Sequence, residues 1–145
     1  ELLKKNKVAV VCGILSGTLA SLTGIFVLCM LFGFNHQQYV TMLPKSITTA
    51  IGIGISEELG GIVTITVAVI IITGILGNVI ADTVFHIFKI KNPLAKGLAL
   101  GTASHAIGTA RAIEMGPVEG AMSSLAVAVA GLLTVVFVSG FAQLI

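Results

Sequence analysis

The sequence has few charged residues for its length. Aspartate, glutamate, lysine and arginine make up 10% of the 145 residues, whereas soluble domains average about 25%. Hydrophobic residues make up 56%, and the mean hydropathy is +1.10. Soluble helical proteins need helices with a polar face, and the long apolar segments of this chain lack one. The composition therefore indicates a membrane protein, and a net charge of +2 is too small to indicate nucleic-acid binding.

Cysteines and catalytic motifs are also scarce. The two cysteines, Cys12 and Cys29, fall in one apolar segment. In a helix they would lie about 25 Å apart, so they cannot form a disulfide with each other. The sequence contains no nucleophile elbow, no phosphate-binding loop and no pair of histidines flanking a catalytic glutamate. We therefore expect neither an enzyme nor a bound cofactor or metal ion.

Three segments are apolar and long enough to cross a bilayer. Uncharged segments run from Val8 to Phe34, from Ile62 to Ala81 and from Gly120 to Ile145. A helix needs about 20 residues to cross a hydrocarbon core of ~30 Å. We predict an all-α, multi-pass integral membrane protein of one domain, 1–145, with spans at about 8–34, 62–88 and 120–145. The chain opens with Glu1 instead of methionine, and its first apolar segment is too long for a signal-peptide core, so we expect it to be an anchored part of a longer protein.

Lysines predict the orientation of these spans. Lys4, Lys5 and Lys7 precede the first span, and Lys89, Lys91 and Lys96 follow the second. Basic residues that flank a span tend to stay in the cytoplasm, so both groups should face the cytoplasmic side of the cell membrane. The segment between spans one and two must then begin and end on the outer side.

That segment, at about 43–61, is predicted to be a re-entrant helical hairpin. Pro44 suits the first turn of a helix. Gly52 and Gly54 follow within an apolar stretch, and they would let the backbone reverse at depth. The prediction is that this segment enters the membrane and returns to the same side.

A second re-entrant hairpin is predicted at about 92–119. Asn92 and Pro93 favour a helix start, Gly116 followed by Pro117 favours its end, and Gly108 is the expected turn. A face of small residues predicts close packing against other helices, and it consists of Gly97, Gly101, Ser104 and Gly108. A weak similarity between the two hairpin-and-span units favours an inverted repeat, as in secondary transporters.

Polar side chains in the two hairpins form the predicted substrate site. Irregular backbone at membrane depth is tolerated where protein buries it or where it lines a cavity, so two hairpins imply a cavity between them. Helix N-termini at these breaks offer N–H groups to an anion. The predicted substrate-binding residues are Lys45, Ser46, Thr48, Thr49, Thr102, Ser104, His105, Thr109 and Arg111.

Several of these positions have an alternative role. Arg111 could bind a substrate carboxylate through its planar guanidinium, or it could pair with Glu114 on the same helix face. His105 could exchange a proton near neutral pH, with Glu114 as a second relay candidate, or it could be a packed histidine bonded to a hydroxyl. Asp82 and His86 could form a proton relay or a metal pair, or could hydrogen-bond each other. The hydroxyl groups could instead bond helix carbonyls.

Two stretches resemble the signature of the LrgB/CidB family. They are KGLALGTASHAIGTA at 96–110 with GPVE at 116–119, and PKSITTAI at 44–51 with Gly60 and Gly61 behind it. The resemblance covers essentially the whole chain and about the C-terminal three fifths of family members. It implies an antiholin-like or holin-like membrane protein that modulates murein hydrolase activity and cell lysis together with a small LrgA/CidA-type partner. Relatives include the plastid glycolate/glycerate translocator and bacterial pyruvate-uptake systems, so the resemblance also implies a carrier.

From the residues and the resemblance together, we expect a transporter of small monocarboxylates such as glycolate, glycerate or pyruvate. We expect it to form a homo-oligomer in the lipid bilayer. The alternative is an antiholin-like regulator that acts through its LrgA/CidA-type partner. A membrane-bound enzyme is a third and weaker alternative, which would need a nucleophile and a base about 3 Å apart.

Overall fold

The computed structural model describes residues 6–145, and in this range the chain forms six helices and no strand. The helices are α1 (Lys7–Leu31), α2 (His36–Met42), α3 (Thr49–Glu58), α4 (Val63–Ile87), α5 (Pro93–Met115) and α6 (Pro117–Ala142). Helices α1, α4 and α6 are 25, 25 and 26 residues long and apolar enough to cross a membrane. The predicted all-helical fold with three candidate spans is confirmed. Lys4 and Lys5 lie outside the described residues.

Helices α1 and α6 run parallel to each other. Val10, near the start of α1, belongs to the same apolar cluster as Met122 near the start of α6. Cys29, near the end of α1, belongs to the same cluster as Ala142 at the end of α6. The two helices therefore begin at one end of the molecule and finish at the other.

Helix α4 runs in the opposite direction, as two bonds from α2 show. The hydroxyl of Tyr39 donates to the carbonyl oxygen of Phe141, in the last turn of α6, at 2.8 Å. The hydroxyl of Thr66, in the first turn of α4, donates to the carbonyl oxygen of Thr41 at 2.9 Å. The start of α4 therefore lies beside the end of α6. Lys7, which begins α1, and the lysines that follow α4 consequently share one end of the molecule.

We call α2, α3 and their connection at 43–48 the first hairpin, because its two ends meet where the backbone N–H of Ile62 donates to the hydroxyl of Thr41 at 2.8 Å. Asn35 caps α2, because its side chain accepts a bond from the backbone N–H of Gln38 at 2.9 Å. Gly52 and Gly54 lie inside α3, so the prediction that these glycines form the turn is wrong. A Cβ on Gly52 would lie 2.4 Å from Cδ1 of Ile70 on α4, so this glycine allows close helix packing instead of a reversal.

Helix α5 contains the second reversal, at His105. This residue has φ 43° and ψ −134°, which no helix allows. Past it the chain returns along itself, because a Cβ on Gly108 would lie 2.8 Å from the carbonyl oxygen of Leu100, eight residues earlier. In a straight helix these residues would be about 12 Å apart. The expected turn at Gly108 is therefore displaced by three residues, and Gly108 provides room for the two halves of α5 to pass.

Glycines on the first half of α5 bring it against the backbone of α6. A Cβ on Gly97 would lie 2.4 Å from the carbonyl oxygen of Glu119, and one on Gly101 would lie 2.4 Å from that of Ser123. The predicted close packing of this glycine face is confirmed at both positions. The predicted start of α5, with Asn92 as cap and Pro93 as first helical residue, is confirmed as well.

Candidate functional site

The first hairpin places a lysine and a serine at its tip, in the connection between α2 and α3. The Lys45 ammonium donates to the hydroxyl oxygen of Ser46 at 2.8 Å. The hydroxyl of Ser21, near the middle of α1, donates to the same oxygen at 3.0 Å. A hydroxyl has two lone pairs and one hydrogen, so both lone pairs of Ser46 are occupied and its hydrogen is left to donate. The tip therefore presents hydrogen-bond donors.

The second hairpin places His105 at its tip, buried to 3% exposure. Its Nε2 lies 2.9 Å from the carbonyl oxygen of Ile70 in α4. A carbonyl oxygen only accepts, so Nε2 carries the hydrogen and Nδ1 is the acceptor in the neutral ring. Thr109 donates its hydroxyl to the carbonyl oxygen of His105 at 2.9 Å. These two bonds hold a backbone conformation that a non-glycine residue rarely adopts.

A cavity of about 850 Å³ lies between the tip of the first hairpin, α1 and the first half of α5. The first tip contributes Lys45 and Ser46, and the second hairpin contributes Thr102 one turn before its own tip. The remaining lining is mostly alanine, glycine and leucine from α1 and the first half of α5. Of the predicted site residues, Lys45, Ser46 and Thr102 line this cavity, whereas His105, at the second tip, does not.

A small hydroxyl-lined niche adjoins this cavity and holds about 10 Å³, the space of a single water molecule. Its hydroxyl groups belong to Thr18, Ser21, Ser46, Thr102 and Thr134. Three of them, those of Ser21, Ser46 and Thr102, also line the larger cavity. Among the buried side-chain nitrogen and oxygen atoms of the described residues, Oγ1 of Thr18 is the one without a hydrogen-bond partner.

Lys45 has no carboxylate partner within the described part of the chain, where both ion pairs belong to Arg111. Its side chain is partly buried, and removal of an ammonium from water disfavours a charge that no carboxylate balances.

Arg111 does not join the cavity. It donates to Glu114 at 2.6 Å and to Asp82 on α4, which closes the base of the second hairpin against the end of that helix. Both carboxylates raise the pKa of the guanidinium, the bond to Asp82 most. Of the two roles left open for Arg111, the structure has the ion pair with Glu114. Asp82 lies on α4, 29 residues before Arg111. Nothing in the sequence indicated that these two side chains pair.

The other predicted hydroxyls have mostly structural neighbours. Thr48 and Thr49 begin α3 outside the cavity lining, and the Thr48 side chain makes no capping bond. Ser104 is buried against α4, where a Cβ on Gly77 would lie 1.7 Å from its hydroxyl oxygen. Thr109 bonds Ser123 of α6 at 2.8 Å. Within residues 6–145 no group of three His, Cys, Asp or Glu side chains could hold a metal ion.

Sequence reasoning missed the hydroxyls that the long helices contribute. Thr18, Ser21 and Thr134 lie inside uninterrupted apolar segments, where a single hydroxyl is common. The available signal was position, because each lies near the middle of its candidate span, at the depth expected for the hairpin tips. That signal is weak without knowing where the hairpins turn.

The known proteins most similar in sequence that we compared carry the same name. The chain is 40% identical over 143 residues to the antiholin-like protein LrgB of Bacillus subtilis (strain 168), which covers 99% of this chain and 62% of the relative. It is 41% identical over 139 residues to proteins of the same name from Bacillus cereus (strain B4264) and Bacillus anthracis (strain CDC 684 / NRRL 3495), covering 96% of this chain and 60% of each relative.

The chain thus spans about three fifths of the length of these curated relatives. No solved structure matches it. The sequence pattern of the LrgB-like family matches residues 1–144, nearly the whole chain. Together with three helices able to cross a membrane, this match shows that the chain is a membrane protein of the LrgB-like family.

Proposed function

We propose that this LrgB-like protein acts as an antiholin-like regulator in the bacterial cytoplasmic membrane, together with a small LrgA-type membrane partner. The observation that carries the proposal is the 40% identity, over 99% of the chain, to a protein named antiholin-like. The names of the relatives favour this function over transport. The expected phenotype is control of cell lysis and murein hydrolase activity.

Deletion and rescue test this proposal. Removing the gene for the full-length protein should speed autolysis, and a plasmid copy should restore the original rate only when the partner gene is intact. The partner should also be retained with the tagged protein in detergent. Unchanged lysis after deletion, together with no retained partner, would contradict the regulatory function.

A second candidate function is a carrier of small monocarboxylates, and the geometry of the tips favours it. The Lys45 ammonium and the free hydrogen of Ser46 converge on one cavity, and no carboxylate of residues 6–145 pairs with Lys45. Charge-assisted bonds from such donors suit a carboxylate. Thr102 already donates to the carbonyl oxygen of Leu98 at 2.8 Å, so it can only accept from a ligand.

In the candidate carrier, the two hairpins enter the membrane from opposite sides, and the substrate site lies near the bilayer midplane. The first tip bonds Ser21, in the middle of α1, and the second bonds Ile70 in α4. The niche between the tips reaches Ala130, in the middle of α6. Each of these helices has 25 or 26 residues, long enough for a core of about 30 Å. Two oppositely directed hairpins, each followed by a span, correspond to an inverted repeat.

Uptake into proteoliposomes tests this second candidate. Labelled pyruvate, glycolate and glycerate should enter vesicles that contain the full-length protein, with or without its partner. Lys45→Met should lower uptake by about 10-fold to 100-fold, the value of a hydrogen bond to a charged group. Arg111→Gln is the matched control, because it removes a cation outside the cavity and should retain most of the uptake.

Thermal unfolding in detergent distinguishes a loss of the Lys45 ammonium group from a general loss of folding. Lys45→Met should therefore lower uptake while its thermal unfolding midpoint in detergent stays close to that of the wild type. The carrier candidate fails if no monocarboxylate enters, or if both substitutions reduce uptake equally. Lysis control that persists in Lys45→Met would favour the regulatory function.

A further inference from the structure

A second cavity of about 550 Å³ lies where α4 ends and α5 begins, and we call it the basic cavity. It is lined by Asp82, Phe85, His86, Lys89, Ile90, Lys91 and Lys96. No carboxylate pairs with its three lysines in the described range 6–145. Asp82, its one acidic residue, is bonded to Arg111. The three lysines therefore give the basic cavity an excess of positive charge over its one carboxylate.

The turn between α4 and α5 builds this cavity. The backbone N–H of Ile90 donates to the carbonyl oxygen of Phe85 at 2.8 Å and closes the end of α4. Lys89 sits inside this turn with φ 55°, a conformation that glycine usually supplies at helix ends. Lys96, from the start of α5, places its ammonium 5.7 Å from the centre of the Phe85 ring. This cation–π contact fixes one wall of the cavity.

Exposed apolar surface continues from the basic cavity along α4. Ile87 and Phe88, at its edge, are 65% and 72% exposed. Val79 is 71% exposed and lies three residues before Asp82 and seven before His86, on the same helix face. A ligand that fills the cavity with an anionic group and covers this face with hydrocarbon would match both surfaces.

We propose that the basic cavity binds the phosphate of an anionic phospholipid, whose acyl chains lie along the exposed face of α4. Phosphate oxygens accept charge-assisted bonds from lysine ammonium groups. Basic pockets between helices at the membrane surface recognise anionic headgroups in this way. The lysines lie at the end of the molecule that the charge distribution assigns to the cytoplasm, where anionic lipids attract basic groups. The basic cavity shares no lining residue with the cavity at Lys45 and Ser46, and the proposal does not depend on either proposed function.

Native mass spectrometry of the full-length protein tests the proposal. Phosphatidylglycerol and phosphatidylcholine with the same acyl chains are added to protein in detergent, and the bound fraction is measured against lipid concentration. Lys96→Gln should weaken phosphatidylglycerol binding about fivefold, the effect of one lysine near an anionic surface. Lys96→Arg keeps the charge and the ring contact, so it should bind as the wild type does.

Lys7→Gln is the matched control, because Lys7 lies at the same end of the molecule but does not line the basic cavity. It should leave phosphatidylglycerol binding unchanged. Equal weakening by Lys7→Gln and Lys96→Gln, or equal binding of the two lipids, would overturn the proposal. Inorganic phosphate is added as a competitor in a separate series. If phosphate alone displaces the lipid completely at millimolar concentration, the cavity is a free-phosphate site and the lipid assignment is wrong.

Discussion

The contact between the first half of α5 and α6 should be intolerant of even one added methyl group. Gly101→Ala would place a Cβ 2.4 Å from the carbonyl oxygen of Ser123, 2.7 Å from Cβ of Ala126 and 3.0 Å from Cα of Ser123. Two of these three atoms are backbone, and the third is a Cβ that cannot rotate away. Relief therefore requires the two helices to move apart, since no side-chain rotation is available.

The required movement sets the size of the effect. Unstrained contacts of this kind begin near 3.5 Å, so the helices must separate by about 1 Å locally. Forcing extra methylene volume into a packed interface destabilises proteins by about 1 to 3 kcal/mol. Alanine gains up to about 1 kcal/mol over glycine in a helix, which offsets part of this. We expect a net loss of about 1 to 2 kcal/mol.

Gly140→Ala is the matched control for this substitution. Gly140 lies within α6, and an added Cβ there would meet no atom within 4 Å. It should be neutral or stabilising, because only the helix propensity changes. The thermal unfolding midpoint of the full-length protein in detergent, followed by circular dichroism, should fall by ~3 °C or more for Gly101→Ala. An unchanged midpoint for Gly101→Ala, or an equal fall for Gly140→Ala, would refute the packing argument.

Two further predictions concern buried hydroxyls, measured by the same unfolding assay. Thr18→Val removes the unpartnered hydroxyl with little change of shape, so stability should be unchanged or higher by up to ~1 kcal/mol. Thr134→Val, the control, removes a bonded hydroxyl and should lower the stability by about 1 kcal/mol. Ser56→Ala breaks a buried bond at 2.8 Å and should cost about 1 to 3 kcal/mol, while the exposed Ser16→Ala should stay within about 0.5 kcal/mol. An unstable Thr18→Val or a neutral Ser56→Ala would contradict the assigned bonding.

Long apolar segments and capping residues predicted the helices of this fold well. A helix allows each of the three uncharged segments to form its backbone hydrogen bonds within itself, as a bilayer requires. Asn92 as cap and Pro93 as first residue predicted the start of α5 as observed. The glycines were harder to interpret. Gly52 and Gly108 were expected to form turns, but each lies in a helical segment that touches a neighbour. The sequence shows where a glycine lies, but it does not show whether that glycine allows a turn of the backbone or close contact with a neighbouring helix.

The displaced turns also explain why the sequence analysis placed Arg111 at the predicted site, whereas in the structure it lies away from the cavity. A turn at Gly108 would put Arg111 three residues from the tip, about 4.5 Å along a helix, whereas the turn at His105 doubles that distance. Arg111 then lies near the base of the second hairpin, within reach of Asp82.

The first hairpin shows the opposite displacement. A turn at Gly52 would leave Lys45 at the base, whereas the turn at 43–48 puts this lysine at the tip. A shift of a few residues in each hairpin therefore exchanges the positions of the two cations. Charge alone could not identify the site, because the position of a cation along its hairpin decides whether a carboxylate of the protein or a ligand can reach it.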